Sequence, residues 1–185
     1  MPTKSKALLW ISLLGAAVAQ GSPVIVDKGR SDVEIAVKAT IGSFVAKLQD
    51  YEVSVTLAQG TGSVTATVFR MNFATVRTGD TDRDRDMTDW EQAGRYPDVV
   101  FTLTSLEPGA GAKYTAHGRL LFHGVDRPIS FPMSVEMRQR QVDMQGAATV
   151  DTREFGLPVI TKYLLLKVDP IVRLQFHLQG RIAPK

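Results

Sequence analysis

The sequence predicts an all-β domain of eight amphipathic strands with one short surface helix. Three observations carry that reading. The first is residues 114–135, two period-2 runs around a punctuated turn. Tyr114, Ala116, Gly118, Leu120 and Phe122 share one parity before it, and Ile129, Phe131, Met133 and Val135 share one after it. Alternation of this kind marks a strand with one buried face. The second is that the same alternation recurs at regular spacing in six further segments. The third is a single charged stretch, residues 80–95, that breaks it.

In the central hairpin, Gly124 tolerates positive φ and Pro128 fixes φ without offering a donor, so the chain is expected to reverse between them. Thr115, His117, Arg119, Ser130 and Ser134 take the opposite parity and should face water. Taken from the start, Gln20 to Arg30 reads as a short polar lead-in. Val33, Ile35 and Val37 alternate with polar neighbours as a first strand. Residues 39–50 are mixed and read as a connection. Tyr51, Val53, Val55 and Leu57 alternate, and the Gly60-Thr61-Gly62 turn should join them to a strand at 63–72 with Val64, Ala66 and Val68 on one face. Asp80 to Arg95 is charged and poor in β-branched apolar residues. It predicts a helix near 82–94 with Met87 and Trp90 turned inwards and Pro97 as its stop. Val99, Phe101 and Leu103 make the next strand. After the central hairpin come Val142, Met144, Gly146, Ala148 and Val150, then a long loop at 152–170 with apolar stretches at 157–160 and 164–166. Val172, Leu174, Phe176 and Leu178 form the last strand. Regular amphipathic strands suit a barrel or a two-sheet sandwich, and periodicity alone does not separate them.

A chain of 185 residues suffices for one domain with a substantial core. It has no cysteine, which excludes disulfides, thiolate metal sites and cysteine nucleophiles. Lys4 and Lys6, an apolar run from Ala7 to Val18, and Ala17-Val18-Ala19 predict a secretory signal peptide at residues 1–19, too short to span a membrane. Cleavage near Ala19 would leave residues 20–185 as the mature domain, in the periplasm or secreted. It would also remove two lysines and no acid, taking the formal charge from +3 to +1. A nearly neutral domain has no electrostatic footprint for nucleic acid.

Leu121-Phe-His-Gly-Val-Asp-Arg-Pro-Ile129 resembles the Leu-Thr-Ile-His-Gly-Val-Thr-Arg/Lys-Pro-Val segment of the YceI-like family. Further matches follow in the family's order: Thr78-Gly79, Arg83-Asp84, Met87, Tyr96-Pro97 with Phe101, Asp151-Thr-Arg-Glu-Phe155-Gly156, and Asp169-Pro-Ile-Val172. The resemblance spans roughly residues 31–182. The chain departs from the family at Asp86, where a histidine is usual, at Trp90, where a Phe pair is common, and at Ala39-Thr40-Ile41 in place of His-Leu-Gly. The resemblance implies an eight-stranded antiparallel lipocalin-like barrel, exported to the periplasm, enclosing an apolar tunnel for a polyisoprenoid or similar lipid. It also places the helix near the barrel mouth, so the identity of the ligand is the property it transfers least.

The chemistry visible in the residues is sparse. His117, His123 and His177 lack metal-ligand spacing, and the Asp/Arg run at 80–86 lacks the glycine and closing glutamate of a calcium loop. No nucleophile elbow, P-loop, zincin or dinucleotide motif is present, so the expectation is a non-enzyme with no metal and no cofactor. Arg83, Arg85 and Arg95 could recognise an anionic head group or serve as surface ion-pair partners. The candidate tunnel lining is Tyr114, Phe122, Phe131, Met133, Val135, Met144, Leu174 and Phe176, with Met87, Trp90 and Phe155 as mouth candidates. The same apolar residues could fill a closed core. Two details favour a cavity: small residues on the inward face (Ala116, Gly118, Gly146, Ala148), and the flexible Met133, Met137 and Met144. The expected partner is an isoprenoid or other lipid. The oligomeric state stays open, a homodimer among the options, and the competing reading is a stress or interaction module acting through its outer face.

Overall fold

The structure is a computed structural model that describes residues 21–40, 42–59, 63–162 and 166–184. The predicted signal peptide, the turn at 60–62, and residues 41 and 163–165 lie outside them. The strands are β1 (Ser22–Val26), β2 (Asp32–Lys38), β3 (Ser43–Lys47), β4 (Tyr51–Leu57), β5 (Val64–Asn72), β6 (Asp98–Pro108), β7 (Lys113–Phe122), β8 (Val125–Arg138), β9 (Gln141–Asp151), β10 (Thr161–Lys162), β11 (Leu166–Lys167) and β12 (Ile171–Ile182), with helix α1 (Thr81–Glu91) between β5 and β6. Hydrogen bonds run round β1-β4-β5-β6-β7-β8-β9-β12, and β12 pairs back with β1. The result is a closed eight-stranded antiparallel barrel, as the family resemblance implies. β2 extends along β12 beyond β1, with β3 outside it, while β10 and β11 form a separate small hairpin in the long loop.

The sequence reading assigned one ring position to the wrong segment. The strand that closes the ring is β1, read as a polar lead-in, and β3 was read as a connection. Both are five residues long and carry an outward apolar residue, Ile25 and Val45, each 47% exposed. So short a run with apolar residues on both faces shows no period. β5 departs differently. Its pairing with β4 shifts from Thr56↔Ala66 to Leu57↔Val64, leaving Thr65 as an extra residue. A bulge of this kind inverts the parity beyond it. Thr67, Phe69 and Met71 therefore face inwards with Val64, and the expected inward residues Ala66 and Val68 do not.

The central hairpin turns within two residues, since Phe122 pairs with Val125. His123 and Gly124 both have positive φ, 49° and 71°, as the tightest hairpin turns require. Pro128, expected to mark the reversal, instead sits inside β8 opposite Arg119. Its place has a reason. Val135 donates its N–H to Ala112 O at 3.0 Å, so odd positions of β8 bond towards β7 and even positions face β9. Pro128 and Pro132 have no N–H to give, and the β8–β9 ladder begins only at Met133↔Gly146.

Helix α1 starts at Asp80, whose Oδ1 accepts the N–H groups of Asp82 and Arg83 at 3.1 and 3.0 Å. It ends at Gln92 in the left-handed conformation (φ 58°), ahead of the expected stop at Pro97. Met87 and Trp90 face inwards as predicted, and Trp90 Nε1 donates to Pro158 O at 2.8 Å, tying the helix to the long loop.

A Cβ added at Gly124 would meet Tyr96 Cδ1 and Cε1 at 2.8 Å and would hold the left-handed φ. Gly124→Ala is expected to lower stability by about 1–2 kcal/mol for the backbone conformation alone, with the Tyr96 contact adding to it. The urea midpoint measures this.

Candidate functional site

The barrel interior is not filled. A cavity of about 890 Å³ runs along its axis, near the top of the range of roughly 300–1,000 Å³ typical for ligand pockets. Phe69 and Met71 of β5, Val99, Phe101 and Leu103 of β6, Ile129, Phe131 and Met133 of β8, and Val172, Leu174, Phe176 and Leu178 of β12 form much of its wall, and β2, β3, β4, β7 and β9 add to it. Several of these residues point inwards yet are only half-buried, among them Phe69, Phe101, Ile129, Met133, Leu174 and Phe176. Their accessible surface is the face they turn to the cavity. In a close-packed interior it would have been covered by neighbours.

The cavity is closed at one end and rimmed at the other. Val24, Val55, Leu57 and Val142 are buried but stand outside its wall, near the β1–β12 and β9–β12 pairings that lie beyond Leu178. The rim gathers α1, the β2–β3 turn (Gly42 and Ser43) and the segments 158–161 and 168–170. Its charged members are Arg83, Asp86, Asp89 and Asp169. The Arg83 guanidinium lies 4.5 Å from the ring centre of Phe44 and 3.3 Å from Asp80 Oδ2.

Of the predicted lining, Phe122, Phe131, Met133, Met144, Leu174 and Phe176 lie in the cavity wall, and Met87 and Trp90 lie there at the mouth. Tyr114 and Val135 do not. They have the predicted parity on β7 and β8 but belong to the end of the hairpin away from the turn, and period 2 specifies a face, not a depth. Phe155 is 1% exposed and packs behind Phe122, ring centres 5.5 Å apart, so it backs the wall without forming it. Met137 is 38% exposed and lies outside the wall. Neither Arg85 nor Arg95 lies in the wall; Arg85 pairs with Asp82 at 2.8 Å and Arg95 stacks on Tyr96. Wall residues that sequence reasoning missed include Phe69 and Met71, hidden by the bulge, and Phe44, on the unrecognised β3. Outside the barrel, His117 meets Ser130 Oγ at 2.8 Å and His177 meets Asp143 at 2.9 Å. Among the described residues no three His, Asp or Glu side chains gather as a metal site.

The small residues work otherwise than expected. Gly118 and Gly146 do not leave empty space. Phe101 lies over Gly118, and Phe176 lies over Gly146 with Cζ 2.6 Å from where a Cβ would stand. Aromatic rings covering strand glycines in this way flatten against the sheet. Phe131 sits between them, 5.4 Å from Phe101 and 6.0 Å from Phe176, over Ala116 and Ala148. The two glycines and two alanines thus keep three aromatic rings close to the wall, and the opening remains along the axis.

Glu91, the last residue of α1, is wholly buried, and neither carboxylate oxygen has a hydrogen-bond partner. His123 Nδ1 donates to the Glu91 backbone carbonyl at 2.7 Å and stands 3.6 Å from Oε1. Burial pushes the Glu91 carboxyl up to about 7, from an ordinary 4.5.

Gly146→Leu should destabilise by roughly 1–3 kcal/mol because Phe176 already fills the site. Leu174→Trp, which grows into the cavity, should leave the denaturation midpoint nearly unchanged. For Glu91, the folded state holds its proton to a higher pH than the unfolded chain. Its contribution is therefore fully present below about 4.5 and lost as pH rises towards 7. Midpoints measured across that window should fall in the parent protein and fall less in Glu91→Gln.

Comparison with known proteins agrees with this architecture. The YceI-like domain model matches residues 25–180. A search of curated proteins returned no match. Among solved structures, BcnA of Burkholderia cenocepacia superposes with a TM-score of 0.73 at 19% identity, over 84% of this chain and 99% of that one. The YceI protein of Campylobacter jejuni gives 0.69 at 16% identity, over 78% and 88%. A polyisoprenoid-binding domain from Saccharophagus degradans, implicated in plant cell wall breakdown, gives 0.67 at 13% identity, over 89% and 100%. With a family match across nearly all of a barrel that closes as the family's resemblance implies, this chain belongs to the YceI-like family.

Proposed function

We propose that this protein binds a lipid with a long hydrocarbon chain, a polyisoprenoid or similar amphiphile, inside the barrel, and acts as a carrier or store without catalysis. The observation that carries the reading is the hollow interior: apolar side chains point inwards and stay accessible along a cavity of about 890 Å³ open at one rim. Burying such a wall against a hydrocarbon chain gains roughly 25 cal/mol per Å² of apolar surface removed from water. Family membership and the polyisoprenoid-binding domain among the structural neighbours support the same ligand class. The candidate contacts are Phe122, Phe131, Met133, Met144, Leu174 and Phe176 in the wall, with Met87 and Trp90 at the mouth. Residues 1–19 act in this reading as a signal peptide that delivers the barrel, residues 20–185, to the periplasm or beyond.

Organic extraction of the purified protein, followed by mass spectrometry, should release a long-chain lipid in near-stoichiometric amount, and Leu174→Trp should release less. A parent protein that yields no lipid, and takes none up when offered a polyprenol, would overturn the reading. Intact mass of the protein from a periplasmic fraction should show a chain beginning at or near Gln20; a full-length cytoplasmic species would refute export.

A further inference from the structure

Helix α1 brings Met87 and Trp90 to the mouth, and its last residue is the buried Glu91, whose two carboxyl oxygens have no hydrogen-bond partner. His123 Nδ1 stands 3.6 Å from Oε1, but it already donates its proton to the Glu91 backbone carbonyl at 2.7 Å. The other groups around this point are uncharged or engaged elsewhere. Met87 and Thr88, one turn back on the helix, carry no charge, and Asp84, a turn further, accepts from Thr78. Asp86 and Asp89 lie on the rim. The short turn Phe73–Thr75 that packs on the helix has no titratable group. Arg95 stacks on Tyr96, whose ring lies 4.5 Å from that of His123, and Arg153, behind the wall, pairs with Asp151 at 2.6 Å. Such a site suits a neutral carboxyl, and an unpaired carboxylate in it is strongly unfavourable. The charge has two ways out. His123 can turn its Nδ1–H to the carboxylate, which releases the carbonyl, or the carboxylate can reach water, which lifts the last turn of α1. Both free the helix end from the central hairpin, and the chain just beyond it already leaves the helix at Gln92 with φ 58°.

We propose that Glu91 is a proton-operated latch on the barrel mouth: with its proton it holds the end of α1 against the central hairpin, and without it the helix end lifts and lets lipid enter and leave. This rests on the lipid-binding reading above and adds the regulation of that same cavity. The closed state keeps the proton up to about 7, whereas a Glu91 that has reached water gives it up near 4.5. Opening is therefore favoured progressively as pH rises through that interval and levels off above it. Because Met87 and Trp90 ride on the same helix, movement of its end widens the mouth itself.

The test loads the purified protein with geranylgeraniol and follows its transfer to phosphatidylcholine vesicles as pH is varied. Neither the alcohol nor the vesicle surface titrates in this range, so a pH dependence belongs to the protein. The transfer rate should rise by roughly tenfold or more between pH 5 and pH 7 and then level off. Glu91→Gln and Glu91→Leu, which cannot ionise, should transfer slowly at every pH. Hydrogen exchange of the parent protein, corrected for the intrinsic effect of pH, needs neither variant nor ligand. Protection at residues 88–96 should fall over the same interval while β7 and β8 keep theirs. A parent rate that does not change with pH would overturn the latch while the lipid-binding reading stands. An equal rise in both variants, or protection lost evenly across the barrel, would overturn it too. Protein that takes up no geranylgeraniol at any pH would remove the lipid-binding reading and the latch's function with it.

Discussion

The hollow interior depends on a short stretch of backbone pairing. β12 is bonded along β9 from Ile171 to Arg181, and its last residues bond β1 through Val24↔Ile182, Ile25↔Arg181 and Val26↔Gly180. Those three pairs close the ring, and β1 passes the ladder on to β4. A closed ladder satisfies its backbone donors and acceptors without help from the interior, so the wall can stand while the axis is left open. An open sheet of the same strands would have to cover its apolar face by collapse onto something else. Here β2 and β3 use the upper half of the β12 edge and leave the wall continuous towards the rim.

Openness is maintained by placement of bulk more than by absence of it. Phe101, Phe131 and Phe176 are large, and in a solid core they would interlock across the axis. Gly118 and Gly146 let two of them lie against the sheet, and Ala116 and Ala148 give the third a shallow seat. The packed part of the core lies elsewhere: at the closed end around Val55, Leu57 and Val142, and behind the wall, where Phe155 supports Phe122. Stability is thus concentrated where nothing needs to enter, which suits a domain that has no disulfide to lean on.

The mouth is the polar counterpart of that wall. One helix supplies its inward Met87 and Trp90, three of its charged residues (Arg83, Asp86 and Asp89), and the buried terminal residue Glu91. The helix is held at its C-terminal end by the rest of the fold, through Trp90 to Pro158 and through His123 to the Glu91 carbonyl. The histidine of the central turn therefore has a mechanical role. It joins the hairpin to the helix that borders the opening, and its ring packs 4.5 Å from that of Tyr96.

Local pattern in the sequence was enough for the all-β class, the short helix with Met87 and Trp90 inwards, and the inward faces of β2, β6, β8, β9 and β12. Each of those follows from a period of two or from a cluster of charges, which are properties of consecutive residues. The resemblance carried by residues 121–129 and the ordered matches around them pointed to a barrel where periodicity alone left a sandwich open. Tertiary structure decided the rest. It showed that β1 closes the ring, since a five-residue strand with apolar residues on both faces has no readable period. It moved the inward face of β5 through a bulge at Thr65, which only the pairing with β4 exposes. It separated the six lining residues that reach the cavity from Tyr114, Val135 and Phe155, because alternation encodes which side a residue faces and not how far along the axis the empty space extends. That distance is set by how eight strands converge, a property of contacts between residues far apart in the chain.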